Sequence, residues 1–468
     1  MSKQLPESPN LEHLKNEAKA LKKQSGTRLA EAQLQVAREY GFPSWAKLKR
    51  HVEGFPNLRQ SFFMAVRDGD RELVSSILEQ APGLIRSHDP NEFGMVPIAA
   101  AASRNDLKMI DLLLSRGADI DARSDWWAGS FGALDFCDVR TADHLLKKGA
   151  TLTAHAAARL GKAKELREIL KENPDAVNER GGDGQFPLHF ATTAEIVDIL
   201  ADAGADLDAR DIDHESTAAQ WRIKEIEVLR RLVERGASTD IFMAVALDDP
   251  ALIGRHLKED PAFLARKTNE PGNPMIHHAA PGSPIYIYTI GFCSPLQMAA
   301  SQGKPKAYEF LFDQAPPTQQ LLAATWKADR ESAMRLKGHI KDLSPQEMSQ
   351  VSDAARYKQY EALALMLEVD FDVDAQDHEQ MAAAHWAGFI GDPKSLEIIL
   401  PHKPNLNLLN CYGGTVLGTT TWGSVHGWNA KHGDYPKTVQ MLIDAGAEVK
   451  KDMQGSPAVN EILNRHRP

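Results

Sequence analysis

The chain has 468 residues, of which 43% are hydrophobic and 25% are charged, and its formal net charge is −10. This composition excludes collagen-like, low-complexity and wholly disordered proteins. It contains no apolar run long enough to span a membrane, and residues 1–10 lack the apolar stretch of a secretory signal. Its three cysteines are widely spaced, which argues against a disulfide framework. We therefore expect a cytoplasmic protein that makes no membrane contact.

Residues 1–58 predict a small helical segment with three helices, the second of which ends at Gly41. Over residues 1–53, ten Lys and Arg residues face six acidic ones, whereas the rest of the chain is acidic. We interpret this segment as a cap on the apolar end of the repeats that follow. The alternative is a helix-turn-helix in which the third helix of this segment is the recognition helix. It would present three basic side chains to DNA, namely Lys47, Lys49 and Arg50.

Beyond this segment, two short signals recur. The first is Gly-Ala followed by a polar residue, and it begins at Gly117, Gly149, Gly204, Gly236 and Gly446. Each copy follows an amphipathic run rich in leucine, so the glycine is expected to adopt the left-handed conformation just past a helix. The second signal is a proline that opens an alanine-rich or leucine-rich run, as at Pro97, Pro187 and Pro295. Together they predict pairs of helices that repeat along the chain.

These signals resemble the ankyrin repeat, a unit of about 33 residues with a β-turn and two antiparallel helices. The clearest units are Asn91–Arg123 and Asp183–Arg210, and the resemblance covers roughly residues 60–450. In the second unit, the segment from Asp183 to His189 is close to the family motif D-x-G-x-T-P-L-H, with Phe186 where threonine is usual. The resemblance implies that His189 and His385 bond to the backbone between repeats.

We therefore predict an all-α ankyrin repeat solenoid of bacterial type, with roughly eleven units over residues 59–468, preceded by the helical segment 1–58. The phrase from Ala32 to Trp45 resembles a leader that precedes bacterial ankyrin arrays. Shorter units end in a proline instead of Gly-Ala, and they open blocks of about three repeats. These prolines are Pro82, Pro174 and Pro261.

Two insertions interrupt the repeats, near residues 269–295 and 419–435. In the first, Met275–Ala280 has the pattern of a repeat's first helix. The following run, Ile285–Ile290, has the composition of a β-strand and predicts a protruding finger. That finger would present two tyrosines, Tyr286 and Tyr288.

The second insertion is rich in glycine and aromatic residues and is open to three interpretations. It could be a packed loop that shields the end of the repeats, a surface that contacts a partner, or a small-ligand or metal pocket.

A further aromatic pair, Trp126 and Trp127, lies in the turn of a shortened repeat, and at least one of its rings is expected to be exposed. The acidic turn with Asp206, Asp208, Asp211 and Asp213 is interpreted as a set of Asx turns and not as a calcium loop.

No nucleophile elbow, P-loop, Rossmann glycine pattern or HExxH motif is present, so no catalytic residue, cofactor or metal ligand is predicted. The predicted function is a non-enzymatic scaffold, a monomer that binds an unknown protein partner through its concave surface. The candidate partner-binding residues are Trp126, Trp127, Tyr286, Tyr288, Trp422 and Trp428. Two alternatives remain: a nucleic-acid adaptor that uses the basic N-terminal helices, although an acidic body disfavours nucleic acid, and a small-ligand or metal site at 419–435.

Overall fold

The computed structural model describes residues 3, 10–268, 270–279 and 282–467, and at positions 50, 51 and 53–57 it describes the backbone alone. Contacts divide the chain into two units. The first unit comprises residues 1–238 and 274–285, and the second comprises residues 239–273 and 286–468. Helices make up 59% of the structure, and the described residues contain no β-strand. The predicted all-α repeat class is confirmed.

Most of the α-helices are short, and many consecutive helices contact each other in pairs. Their bounds in the first unit are α1 Leu11–Ser25, α2 Leu29–Glu39, α3 Trp45–Asp68, α4 Arg71–Gln80, α5 Pro97–Ser103, α6 Leu107–Ser115, α7 Val139–Lys147, α8 Ala154–Arg159, α9 Ala163–Glu172, α10 Ala194–Asp202, α11 Ala218–Trp221 and α12 Ile226–Glu234. The remaining helices are α13 Ile241–Ala246, α14 Pro250–Glu259, α15 Ile285–Thr289, α16 Pro295–Ser301, α17 Pro305–Phe312, α18 Pro317–Trp326, α19 Arg330–Leu336, α20 Pro345–Met348, α21 Gln350–Arg356, α22 Tyr360–Glu368, α23 Ala383–Phe389, α24 Pro393–Ile399, α25 Val416–His426, α26 Tyr435–Asp444 and α27 Pro457–His466. Among these described helices, none is long and apolar enough to cross a membrane.

The three N-terminal helices pack around a small core of their own. Its buried side chains are Leu14, Ala18, Val36, Ala37, Leu48 and Val52. Gly41 has a φ of 81° and ends the second helix, as predicted. Helix α3 continues without a break through residue 58 to Asp68, where Gly69 caps it. The division of the chain at residue 58 stays a prediction.

The two recurring signals work as the sequence predicts. Gly117 and Gly149 follow the second helices α6 and α7 with φ values of 87° and 100°, which side chains other than glycine rarely adopt. Pro97 and Pro295 begin the first helices α5 and α16. Alanines 99 to 102 of α5 are buried, so neighbouring helices approach this helix closely. At Pro187 the first helix is reduced to a 3₁₀ turn, Pro187–Phe190.

The shorter, proline-terminated units also occur at the predicted places. Helices α4, α9 and α14 end two residues before Pro82, Pro174 and Pro261, respectively, and each proline opens a 3₁₀ turn. Proline suits this position because the first residues of a helical turn need no backbone donor. The longer period read from the sequence therefore has a structural counterpart.

The first insertion differs from its prediction. Residues 275–279, expected in a helix with Ala280, lie in turns and irregular backbone, and Ala280 is outside the described residues. Ile285–Thr289, expected as a strand, is helix α15. The amides of Ile290 and Gly291 both donate to the Tyr286 carbonyl at 2.9 Å, which closes the end of this helix. The predicted β-finger is therefore wrong.

Candidate binding surfaces

Three buried histidines connect the turns of consecutive repeats. The Nε2 atom of His189 lies 3.0 Å from the Ser216 carbonyl oxygen, and that of His385 lies 3.0 Å from the Leu408 carbonyl oxygen. His155 makes the corresponding contact with the Glu179 carbonyl at 3.0 Å. Burial lowers the pKa of all three rings, that of His189 to about 4. These histidines are neutral structural links, a role that the ankyrin resemblance implies for His189 and His385.

Four aromatic rings of the second unit lie together, and we call them the second-unit aromatic surface. Trp386 and Phe389 lie on α23, Trp422 lies on α25, and Trp428 follows two residues after α25. Phe389 stacks on Trp422 with ring centroids 5.9 Å apart and meets Trp428 edge-on at 4.7 Å. Trp422 and Trp428 nevertheless remain 54% and 65% exposed. Exposed tryptophans held in place by packed neighbours are typical of binding hot spots.

A buried residue and a cation support this surface from below. Trp386 is almost fully buried, and its indole nitrogen donates to Oδ2 of Asp377 at 2.7 Å. The Arg356 guanidinium lies 4.3 Å from the Trp386 ring centroid and 5.9 Å from that of Trp428. These cation–π distances keep a positive charge beside the exposed indoles. The surface therefore offers apolar rings and one cation to a partner.

Glycine allows the two helices of this surface to approach each other. A Cβ atom at Gly423 of α25 would lie 2.3 Å from the Phe389 carbonyl oxygen, which is too close for two non-bonded atoms. A Cβ atom at Gly388 of α23 would lie 2.1 Å from Oγ1 of Thr420. The stacking of Phe389 on Trp422 thus depends on small residues at the helix contact.

The second insertion is part helix and part loop. Its first half extends α25 as far as His426, where the sequence predicted only a loop. The remainder is fixed to the preceding repeat by three hydrogen bonds: Asn429 Nδ2 donates to the Ile390 carbonyl, the Asp434 amide to the Gly391 carbonyl, and the Tyr435 hydroxyl to the Phe389 carbonyl. These bonds agree with a packed segment, and its exposed tryptophans agree with a contact surface. Among its described residues, no group of three His, Cys, Asp or Glu side chains converges on a possible metal position.

Another aromatic cluster lies in the first unit. It comprises Trp126, Trp127 and Phe93, and we call it the first-unit aromatic surface. Trp127 is 55% exposed, whereas Trp126 is half-buried and its indole nitrogen donates to Oδ1 of Asp183 at 2.8 Å. Phe93, which sequence reasoning did not select, meets Trp126 edge-on with centroids 5.0 Å apart and is 45% exposed. Its φ of 50° is unusual for a residue other than glycine. One exposed indole of the predicted pair is therefore present.

The two tyrosines of α15 have opposite environments. Tyr288 is 64% exposed, as predicted. Tyr286 is 1% exposed, and its hydroxyl donates to Oδ2 of Asp240 at 2.9 Å. Its ring also meets Phe242 with centroids 5.5 Å apart. The expectation that Tyr286 is an exposed contact residue is wrong, because side chains two positions apart on a helix point in different directions.

The basic N-terminal helices keep part of the predicted cationic face. Lys47 and Lys49 are exposed on α3, and the Arg50 side chain lies outside the described part of the structure. Lys3 pairs with Glu17 of α1 and with Glu39 of α2. Acidic partners weaken such a surface for nucleic acid. DNA contact by this segment stays an alternative.

A family model for the ankyrin repeat matches residues 93–125 and 183–212. The chain contains ankyrin repeats. The two matched segments correspond to the two units that the sequence shows most clearly. Ankyrin repeats generally mediate protein–protein interaction, and proteins of this family are typically non-enzymatic.

Two curated relatives share part of the chain. It is 29% identical over 131 residues to Ankyrin repeat and SOCS box protein 11 of Danio rerio, an alignment that covers 25% of this chain and 43% of that protein. It is 29% identical over 109 residues to Inversin of Canis lupus familiaris, covering 22% of this chain and 9% of that protein. The chain thus spans less than half the length of either relative.

One solved structure with a similar chain is a complex of a predatory endopeptidase from Bdellovibrio bacteriovorus with an immunity protein. The match covers 37% of this chain and 97% of that chain, with 23% identity and a TM-score of 0.26. A likeness of this size carries no argument about function. The bacterial type read from the sequence stays a prediction.

Proposed function

We propose that this ankyrin repeat protein is a non-enzymatic scaffold that binds a protein partner through the first helices of its second unit. The observation that carries the proposal is the second-unit aromatic surface, where Trp422 and Trp428 are more than half exposed. Both rings rest on Phe389, within 6 Å. Because these rings are already held in place, binding a partner costs little conformational entropy.

We further propose that the partner lies on the concave face of the repeats. Helices α23 and α25 are the first helices of consecutive repeats, and the ankyrin resemblance assigns first helices to that face. The chain beyond the N-terminal segment is acidic, and Arg356 adds a local positive charge to the aromatic surface. This pattern fits best a partner with a mixed surface. That surface would be mainly basic and would have an apolar site that receives the indole rings. The protein would act as a monomer in the cytoplasm.

The experiment is affinity purification from the native cell lysate with quantitative mass spectrometry. The wild type is compared with a Trp422→Ala/Trp428→Ala double variant and with Met334→Ala. Met334 is 40% exposed on α19, a second helix of the same unit, and it serves as the matched control. We expect a stoichiometric protein that the control retains and the double variant loses. Equal recovery from all three proteins would contradict the proposed surface.

The Trp127→Ala and Tyr288→Ala variants complete the comparison. Both side chains are more than half exposed and lie away from the second-unit aromatic surface in the sequence. A partner lost only with Trp127→Ala would move the binding site to the first-unit aromatic surface. Tyr288 would be the anchor if Tyr288→Ala alone abolished recovery.

A further inference from the structure

Two consecutive repeat turns of the first unit bring two carboxylates and an imidazole together. Asp183 comes from the turn before Pro187, and Asp213 and His214 come from the turn of the next repeat. One potential ligand atom from each residue lies within 4.8 Å of the others, and all three residues are half-buried. The amide of Ile212 donates to the Asp183 carbonyl at 2.9 Å and holds the two turns side by side. The cluster therefore belongs to a defined junction.

The two carboxylates lack the basic partner that usually stabilises such a pair. Within the described residues, neither Asp183 nor Asp213 forms an ion pair with lysine or arginine, and the only ion-pair contact is that of Asp213 with His214 at 3.7 Å. Two crowded carboxylates repel each other when both are ionised. A divalent cation between them would remove that repulsion.

The hydrogen bonds around the cluster are those that metal ligands commonly make. The Nδ1 atom of His214 lies 2.7 Å from the Ser283 carbonyl oxygen, so this nitrogen is the donor. The other ring nitrogen, Nε2, lies 3.7 Å from Oδ2 of Asp213. The Trp126 indole donates to Oδ1 of Asp183 at 2.8 Å. A backbone carbonyl on the distal imidazole nitrogen and a donor on the carboxylate orient ligands and fix the tautomer.

We propose that Asp183, Asp213 and His214 bind a divalent transition-metal ion of the zinc type. Zinc accepts imidazole nitrogen together with carboxylate oxygen, and three protein ligands leave one position for water. Calcium is disfavoured because it requires six to eight oxygen ligands. Ligand atoms around zinc lie about 3–4 Å apart, so the three side chains need only small rotations to close on the ion.

Such an ion would link two repeat turns next to the first-unit aromatic surface. Trp126 contacts Asp183 directly, and Trp221 lies 5.3 Å from the His214 ring, centroid to centroid. Metal binding is therefore expected to change the tryptophan fluorescence of the protein. This inference does not depend on the partner-binding proposal, since it concerns other residues and another ligand.

The first test is isothermal titration of the EDTA-treated, dialysed full chain with Zn²⁺, followed in parallel by tryptophan emission. The variants are Asp213→Asn and His214→Gln, and the control is His278→Gln, which removes an exposed histidine of the same unit. We expect the wild type and the control each to bind one equivalent of Zn²⁺ with micromolar or tighter affinity and to change their tryptophan emission. Each variant should bind that equivalent at least tenfold more weakly. The same tight equivalent in both variants would overturn the proposal, as would its absence from the wild type.

A second measurement does not depend on the folding of the variants. X-ray absorption of the wild type loaded with one equivalent of Zn²⁺ reports the ligands directly. We expect a shell of nitrogen and oxygen with one imidazole. Two or more imidazoles, or a sulfur ligand, would show that zinc binds elsewhere and would overturn the assignment.

Discussion

The hydroxyl of Tyr286 donates a 2.9 Å hydrogen bond to the buried carboxylate of Asp240. Asp240 also caps α13, since Oδ1 accepts from the Met243 amide at 3.0 Å. Burial raises the pKa of this carboxyl group. Tyr286 thus joins the first insertion to the start of a repeat helix, which explains why an aromatic residue in a loop-rich segment is buried.

The first prediction concerns this bond. Tyr286→Phe should lower the free energy of unfolding by about 1–3 kcal/mol, because it leaves a buried carboxylate oxygen without its donor. Tyr288→Phe should change it by less than about 0.5 kcal/mol, because that side chain is exposed. Urea denaturation followed by circular dichroism measures both. Equal stability of the two variants would refute the structural role of Tyr286.

The second prediction is a loss of stability in mild acid. His189 has a pKa of about 4 in the folded protein, against an ordinary value of 6.5. The unfolded state therefore binds more protons between these pH values, and stability falls as the pH is lowered from 6.5 towards 4. The difference between the two pKa values corresponds to about 3 kcal/mol in the free energy of unfolding. The thermal midpoint should accordingly be lower at pH 5 than at pH 7.5.

A variant isolates the histidine contribution to that pH dependence. His189→Gln removes the titrating ring, so the decrease in midpoint from pH 7.5 to pH 5 should be smaller than in the wild type. His155 and His385, whose pKa values are also lowered by burial, maintain the remainder. An identical pH dependence in both proteins would exclude His189 as a source of acid sensitivity.

The third prediction concerns the helix contact below the second-unit aromatic surface. Gly423→Ala should destabilise the protein by about 1–3 kcal/mol, because the added methyl group meets the Phe389 carbonyl. Gly338→Ala is the control, since no atom lies within 4 Å of a Cβ there. Thermal denaturation should separate the two variants. If Gly423→Ala left the thermal midpoint unchanged, α23 and α25 would not pack as closely as described.

The sequence predicted the repeat units because their signals are local. Gly117 and Pro97 act on the backbone of their own helix, so spacing and residue type suffice to find them. The histidine links were predicted from the family resemblance, and His189 and His385 make them. Local chemistry and a repeated pattern thus account for most of the fold.

The surfaces were harder to predict because they depend on contacts between distant residues. Trp126 is bound by Asp183, 57 positions later, and Tyr286 by Asp240, 46 positions earlier. Neither pairing has a sequence signal. The Ile285–Thr289 run has strand composition, but its burial and hydrogen bonds favour a helix, since tertiary context overrides propensity in short segments. Phe93 gave only the weak signal of a large apolar residue in a turn.

The most direct test of the account is the affinity of the purified partner for Trp428→Ala, measured by titration calorimetry. Trp428 is the most exposed ring of the second-unit aromatic surface. We predict that Kd rises at least about 30-fold, the equivalent of a hot spot of about 2 kcal/mol, whereas Met334→Ala changes it less than about threefold. An unchanged Kd for a correctly folded Trp428→Ala protein would contradict the claim that this surface holds the partner.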